Sequence, residues 1–258
     1  MNGEEDGRRT TPDWQGKAWA PVYDQLYPKI DVCDPMISTL LDLFPDGTEN
    51  LEVGVGTGRV AIPLSMAGRR VYGIDASDHM LRVLRAKKEA SHLLGTTHVS
   101  AQAMQLGRTF ANGYAVFNTL YAMLSLSEQR LALRSLAYHV QRGGRIVVEN
   151  SNPLICSRGI AELGGWVTKT VSEEAVWVMA GQLDSVQQRV TLAHMQLSSD
   201  GIRQYPGDYR YTYLSEFELL AELEQLEIDA VWGDWDYSSY TNSSPRLILS
   251  FRHRGGET

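Results

Sequence analysis

The chain is short of cysteine, of positive charge and of long apolar runs, and each shortage closes off a class of function. It has 258 residues and two cysteines, Cys33 and Cys156. Neither belongs to a CxxC pair, so neither a zinc site nor a disulfide framework is expected, and two free thiols suit a reducing compartment. Lys and Arg number 24 against 31 Asp and Glu, a net charge of −7. Nucleic-acid phosphates need a basic face, and no Lys/Arg stripe overrides the acidic average. No apolar stretch reaches membrane-spanning length. The start, MNGEEDGRRTTPD, lacks the apolar core of a signal peptide. A cytoplasmic location is the resulting expectation. The six histidines are scattered, and no pair with ligand spacing has a third ligand, so no metal is expected. No internal repeat or low-complexity tract interrupts the chain.

What the chain does have is an alternation of short helices and strands. Residues 14–44 read as helical, stopped by Pro45-Asp46-Gly47. A buried strand over 51–55 leads into Gly56-Thr57-Gly58, and a helical pattern over 60–67 ends at Gly68. A second strand over 70–74 ends at Asp75, and Ser77 caps a helix running to about Ala90. Further strands read at 98–101, 110–117 and 145–149, with a helix over 127–140. After Pro153 the pattern becomes apolar/polar alternation at 166–171, 175–180, 189–197 and 202–211, with Ser199-Asp200-Gly201 as a hairpin connection. A helix at 215–226 and strands at 228–232 and 246–251 close the chain.

This order predicts a Rossmann-like α/β fold: a mostly parallel seven-stranded sheet with helices on both faces, plus an antiparallel β insertion between its fifth and sixth strands. The expected organisation is a disordered tail over 1–12, a ligand-binding core with N-terminal helices over 13–153, the insertion over 154–213 and completion of the sheet over 214–254. The end from Gly255 is expected to be disordered as well.

The stretch Glu52-Val53-Gly54-Val55-Gly56-Thr57-Gly58 is the most informative. Glycines there let the chain turn sharply from strand to helix and let a ligand approach the main chain. Open α/β sheets bind ligands at the carboxyl ends of their strands. Asp75, ending the next strand, can accept from ribose hydroxyls, and Asn there would keep one acceptor oxygen. A dinucleotide fingerprint would need glycine at position 59, where Arg59 stands.

Residues 51–66, LEVGVGTGRVAIPLSM, and 71–81, VYGIDASDHML, resemble the motifs of class I S-adenosylmethionine (SAM)-dependent methyltransferases. The likeness extends along nearly the whole chain. Ala20-Pro21-Val22-Tyr23-Asp24 resembles an A-x-x-Y-D segment that precedes the core in small-molecule members. Phe117-Asn118-Thr119-Leu120-Tyr121, Gly143-Gly144, Val147-Val148-Glu149 and Trp232-Gly233-Asp234-Trp235-Asp236 resemble an actinobacterial subgroup of natural-product pathways. The resemblance implies SAM as cofactor and S-adenosylhomocysteine (SAH) as product. It implies that amides around Gly54, Gly56 and Gly58 line the methionine part and that Glu52 positions that loop or the cofactor's amino group. Tyr23 and Arg59 would face the carboxylate, Asp75 the ribose, and Ala76 and Met80 the adenine. Gln102 falls where members carry an acid that pairs with the adenine amine; its carbonyl can accept but brings no charge.

Asn118 follows the fourth strand and Glu149 ends the fifth. Both are therefore candidates for catalysis, Asn118 also for cofactor contact, against plain turn and structural roles. Candidate acceptor contacts are Tyr27, Tyr121, His194, Tyr209, Tyr211, Trp232 and Trp235. At alternate spacing Tyr209, Tyr211 and Tyr213 would share one face. That face either fills the insertion or walls off the reacting centre. The expected reaction is direct methyl transfer to a small natural-product-like molecule. A neutral amine needs no strong base and a hydroxyl does; with no His–acid pair in evidence, the amine is preferred. Two alternatives stay open: a SAM enzyme catalysing cyclisation or rearrangement, and a non-catalytic SAM-fold subunit. The insertion is expected to cover the acceptor or to join a second copy in a homodimer.

Overall fold

The computed structural model describes residues 14–162, 166–172 and 175–254. The two ends expected to be disordered, 1–12 and from Gly255 onward, lie outside the described residues. The first helical stretch is not continuous, as the sequence reading has it, but three helices: α1 (Trp14–Trp19), α2 (Tyr23–Leu26) and α3 (Pro35–Leu43). Pro21 and Pro28 break the run because proline has no N–H to donate. Pro35 instead sits in the first turn of α3, and the Asp34 carboxylate caps that helix by accepting from Met36 N at 2.9 Å.

The chain continues as β1 (Glu49–Val53), α4 (Ala61–Met66), β2 (Arg70–Asp75), α5 (Asp78–Ala86), β3 (Gly95–His98), β4 (Asn112–Ala115), α6 (Leu126–His139) and β5 (Ile146–Ser151). Ser77 caps α5 as expected, accepting from Met80 N at 3.1 Å. The third strand lies three residues before its expected start and is followed by a short 3-10 turn, Ala101–Ala103. The fourth begins at Asn112, a poor strand residue that is held because its side chain replaces water. Nδ2 donates to Asn50 Oδ1 at 3.0 Å and Oδ1 accepts from Arg145 N at 3.1 Å. α6 starts one residue early because Ser125, not Ser127, is its cap.

A helix that the sequence reading does not place, α7 (Pro153–Glu162), opens the insertion. Then come β6 (Trp166–Val171), β7 (Ala175–Asp184), β8 (Arg189–Ser198) and β9 (Gly201–Arg210), an antiparallel sheet in that order. The tight turn between β8 and β9 uses Gly201 at φ 112°. α8 (Leu214–Leu223), β10 (Leu226–Trp232) and β11 (Arg246–His253) finish the chain.

The main sheet has the order β10-β11-β5-β4-β1-β2-β3. β1 to β5 run parallel, and β11 is antiparallel to both neighbours. β1 lies between β2 and β4, so the order reverses there, and the crevice of such a sheet lies at the carboxyl ends of those strands. Buried side chains of α6 and α8, such as Leu133 and Phe217, cover one face, and those of α3, α4 and α5, such as Ile37, Leu64 and Leu81, the other. A third, smaller cluster of Val22, Trp177 and Tyr205, flanked by Trp19, ties the inner face of the insertion to α1 and α2. Trp19 Nε1 adds a hydrogen bond to the Pro206 carbonyl at 2.5 Å. The insertion thus meets the core next to the crevice.

Candidate active site

Between β1 and α4 the chain turns through three left-handed residues, Gly54 (φ 77°), Gly56 (φ 53°) and Gly58 (φ 82°). They are not equivalent. A Cβ on Gly54 would sit 2.5 Å from Thr119 Oγ1, and one on Gly58 2.3 Å from Leu84 Cδ1, so both glycines serve close packing within the protein. A Cβ on Gly56 would meet nothing nearer than Met80 Cε at 3.5 Å. Gly56 is the position that faces open space.

Two acids organise this loop. Asp75 Oδ2 accepts from Gly56 N and Oδ1 from Ser77 N, each at 2.8 Å, so one carboxylate pins the loop to the end of β2. Glu52 is buried under the loop and accepts from Tyr114 Oη at 2.9 Å and from the Ala61 amide at the start of α4. Burial outweighs those hydrogen bonds and pushes its pKa up to about 8.

Above the loop lies α2. Tyr23, Glu52, Gly54, Gly56, Arg59, Phe117 and Thr119 enclose a cavity of about 50 Å³. Tyr23 packs on Tyr27 with ring centroids 4.9 Å apart, and Tyr27 meets Phe117 edge-on at 5.0 Å. The Arg59 guanidinium lies 4.7 Å from the Phe117 centroid, and its buried Nη1 has no hydrogen-bond partner. A buried guanidinium nitrogen left without an acceptor is costly, and a carboxylate is the partner its geometry suits. The glycine cradle, the buried acid and the guanidinium nitrogen without an acceptor therefore fit the amino-acid end of SAM.

The profile of a methyltransferase domain matches residues 51–144. The cypemycin N-terminal methyltransferase of a Streptomyces species is 23% identical over 204 residues, covering 79% of this chain and 82% of that protein. The CcbJ methyltransferase of Streptomyces caelestis superposes with a TM-score of 0.83 at 27% identity, over 95% of this chain and all of that one. The chain is a class I SAM-dependent methyltransferase. The sugar N-methyltransferase KedS8 of a Streptoalloteichus species shares its fold, with a TM-score of 0.60 at 14% identity over 99% of this chain and 96% of that one. No described helix of the methyltransferase is long and apolar enough to cross a membrane.

The remaining site expectations divide sharply in the methyltransferase. Phe117 and Asn118 are successive non-glycine residues at φ 57° and 63°, a strained pair. Glu149 and Asn118 hold that turn. Glu149 accepts from Phe117 N and pairs with Arg246 at 3.3 Å, and Asn118 Oδ1 accepts from Ser151 N at 2.7 Å. Through these contacts the two side chains hold the turn that sets the Phe117 ring against Arg59 and Tyr27. Burial raises the pKa of Glu149 too. Met80 lies beside Gly56, Ala76 is exposed at the start of α5, and half-buried Gln102 rides the turn after β3.

The acceptor expectations need correction. Tyr211 and Tyr213 lie beyond the end of β9 and share no strand face with Tyr209. Tyr121 and Tyr211 are fully buried in the core beneath α6 and α8, with Tyr121 Oη donating to Thr212 O at 3.0 Å and its ring stacked on Tyr209. Trp235 is buried in the opposite core against α3, its carbonyl accepting from Thr39 Oγ1, and Trp232 packs beside it. Of the nominated residues, His194 and Tyr27 come near one another beside the crevice, through a residue the sequence reading does not nominate. The Trp19 ring lies 5.0 Å from His194 and 6.3 Å from Tyr27. Trp19 and Phe117 are thus the missed residues. The signal for Trp19 was its place just ahead of Tyr23; Phe117 lay in the segment that resembles the actinobacterial subgroup, but its backbone strain is not written in residue type.

Proposed function

We propose that this methyltransferase transfers a methyl group from SAM to an amine of a small natural-product-like molecule, held between α1–α2 and the inner face of the insertion. Bound SAM supplies a methyl group on a sulfonium already activated for direct displacement. The chain's own residues bind, orient and exclude water. The amides around Gly54, Gly56 and Gly58 line the amino-acid end, Glu52 takes its ammonium and Arg59, with Tyr23, its carboxylate. Asp75 takes the ribose hydroxyls, and Ala76, Met80 and Gln102 border the adenine.

One observation carries the preference for an amine. Each carboxylate at the crevice is assigned to the cofactor or to the loop and turn around it, Glu52 beside Tyr114 and Ala61, Asp75 beside two loop amides and Glu149 beside Phe117 N and Arg246, so none is left for the acceptor side. A hydroxyl acceptor needs a base at the reacting centre and a neutral amine does not. The aromatic surroundings of Trp19, Tyr27 and Phe117 also suit the cationic product. The similar cypemycin protein is an N-terminal methyltransferase and KedS8 a sugar N-methyltransferase, which supports the same reading. The test is incubation with SAM and matched amino- and hydroxy-compounds, amino sugars and short peptides among them, read by mass spectrometry. A gain of one methylene on the amines alone is expected. Methylation of the hydroxyl partners, or turnover of SAM without that mass gain, would overturn it.

Asp75 gives a second test. Because each of its oxygens accepts a different backbone amide, Asn at this position turns an NH2 toward one of two N–H donors. Asp75→Asn is therefore expected to weaken SAH binding nearly as much as Asp75→Ala, by about 1–3 kcal/mol, although Asn keeps one acceptor oxygen. Calorimetric titration with SAH decides it, and wild-type affinity for Asp75→Asn would separate the carboxylate from the ribose.

A further inference from the structure

A four-residue helix with no buried side chain covers the cofactor loop. Behind it, the segment from Tyr27 to Val32 stands away from α4 across a groove of about 550 Å³ lined by Ile30, Ile62 and Met66. Packing holds this roof on the side of the insertion, through Val22, Trp19 and Tyr27, and leaves the groove side to polar contacts. What crosses to the loop is a polar triad. Asp24 Oδ1 accepts from Thr57 Oγ1 at 2.6 Å, Asp24 Oδ2 pairs with Lys87 Nζ at 2.6 Å, and Lys87 Nζ also donates to the Thr57 carbonyl at 2.7 Å. Thr57 is the buried residue between Gly56 and Gly58, Asp24 follows Tyr23, and Lys87 ends α5. The Lys87 and Asp24 side chains are 15% and 37% exposed, so this pair is screened less than the outer Lys29–Glu89 pair at 73% and 39%.

We infer that Asp24 and Lys87 are positioning residues for methyl transfer: they latch α2 to Thr57 and so hold Tyr23 closed over the amino-acid end of SAM. The cavity beneath Tyr23, about 50 Å³, is well below the roughly 300 Å³ at which ligand pockets begin. The cofactor therefore enters and leaves when the roof lifts, and the latch sets how often it does. The Asp24 carboxylate is the one group joined to both Thr57 and Lys87, so either partner's loss releases the same contact. The inference rests on the cofactor placement proposed above.

The experiment is stopped-flow measurement of SAH association and dissociation with the full chain and the variants Asp24→Asn, Lys87→Met and the double variant. Hydrogen exchange over residues 20–34 is followed without SAH. A latch that opens more often speeds both entry and exit, so the association and dissociation rates should each rise about tenfold in either single variant. The double variant should add little, because the two side chains act as one unit. Exchange at 20–34 should quicken, while Lys29→Met changes none of these. A residue that merely shapes the site would slow or spare association, so unchanged or slower association in Asp24→Asn and Lys87→Met overturns the latch. Failure of the cofactor placement looks different: SAH would then bind unaltered when the Gly56 cradle is filled.

Discussion

Gly56→Val is expected to abolish SAM binding while the domain stays folded. Gly56 has the φ of 53° that side chains resist, costing about 1–2 kcal/mol for a non-glycine residue, and a β-branched residue fares worst. Yet no protein atom obstructs a Cβ there closer than 3.5 Å, whereas substitution at Gly54 or Gly58 drives into Thr119 or Leu84. The space a valine would take at 56 is the space above the loop amides. A loss of about three decades of SAH affinity is expected, about 4 kcal/mol, with Gly56→Ala losing less. Gly47→Ala separates strain from occupancy, since Gly47 has a φ of 73° and nothing within 4 Å of its added carbon. It should cost similar stability and leave SAH affinity unchanged. Calorimetry on variants whose circular dichroism matches the parent is the measurement, and a folded Gly56→Val that binds normally removes the cofactor from this loop.

The contrast between this loop and the aromatic residues shows what a sequence can carry. Glycine spacing dictates backbone dihedrals directly, so the turn after β1 and the acid ending β2 were legible from residue type and order alone. Strand–helix alternation likewise gave the sheet and the insertion. Aromatic residues carry no such address. Tyr211 and Trp235 suit a pocket wall as well as a core, and only the long-range packing of α8 and α3 puts them inside. The boundaries that slipped did so for similar reasons: Asn112 is held in β4 by Asn50 and Arg145, residues far from it in the chain. Asp24, Thr57 and Lys87 lie in three separate segments, and nothing local to any of them announces the other two. Glu149 and Asn118 were recognised by position, but the strained turn they contact becomes visible only with the dihedrals of Phe117 and Asn118.

Glu52 yields a pH dependence of opposite sign for stability and for binding. Burial raises its pKa from 4.5 to about 8. Between those values the unfolded chain has lost the proton and the folded chain keeps it, so ν_U is smaller than ν_N and the slope of unfolding free energy with pH is negative. From this group alone, stability is greatest below pH 4.5 and falls as pH rises to about 8, by on the order of 4–5 kcal/mol across the window. Glu52 must ionise to pair with the cofactor's ammonium, and Tyr114 Oη and the Ala61 amide are already placed to stabilise the anion. SAH binding at pH 7 should therefore release close to one proton, and affinity should strengthen up to about tenfold per pH unit until the pKa near 8. Calorimetry in two buffers of different ionisation enthalpy reads the proton count directly. Glu52→Gln should bind SAH more weakly, release no proton and lose the fall in stability between those pH values. Equal apparent enthalpies in both buffers at pH 7 for the parent protein would mean that the acid beneath the glycine loop keeps its proton, and that the ammonium is held elsewhere.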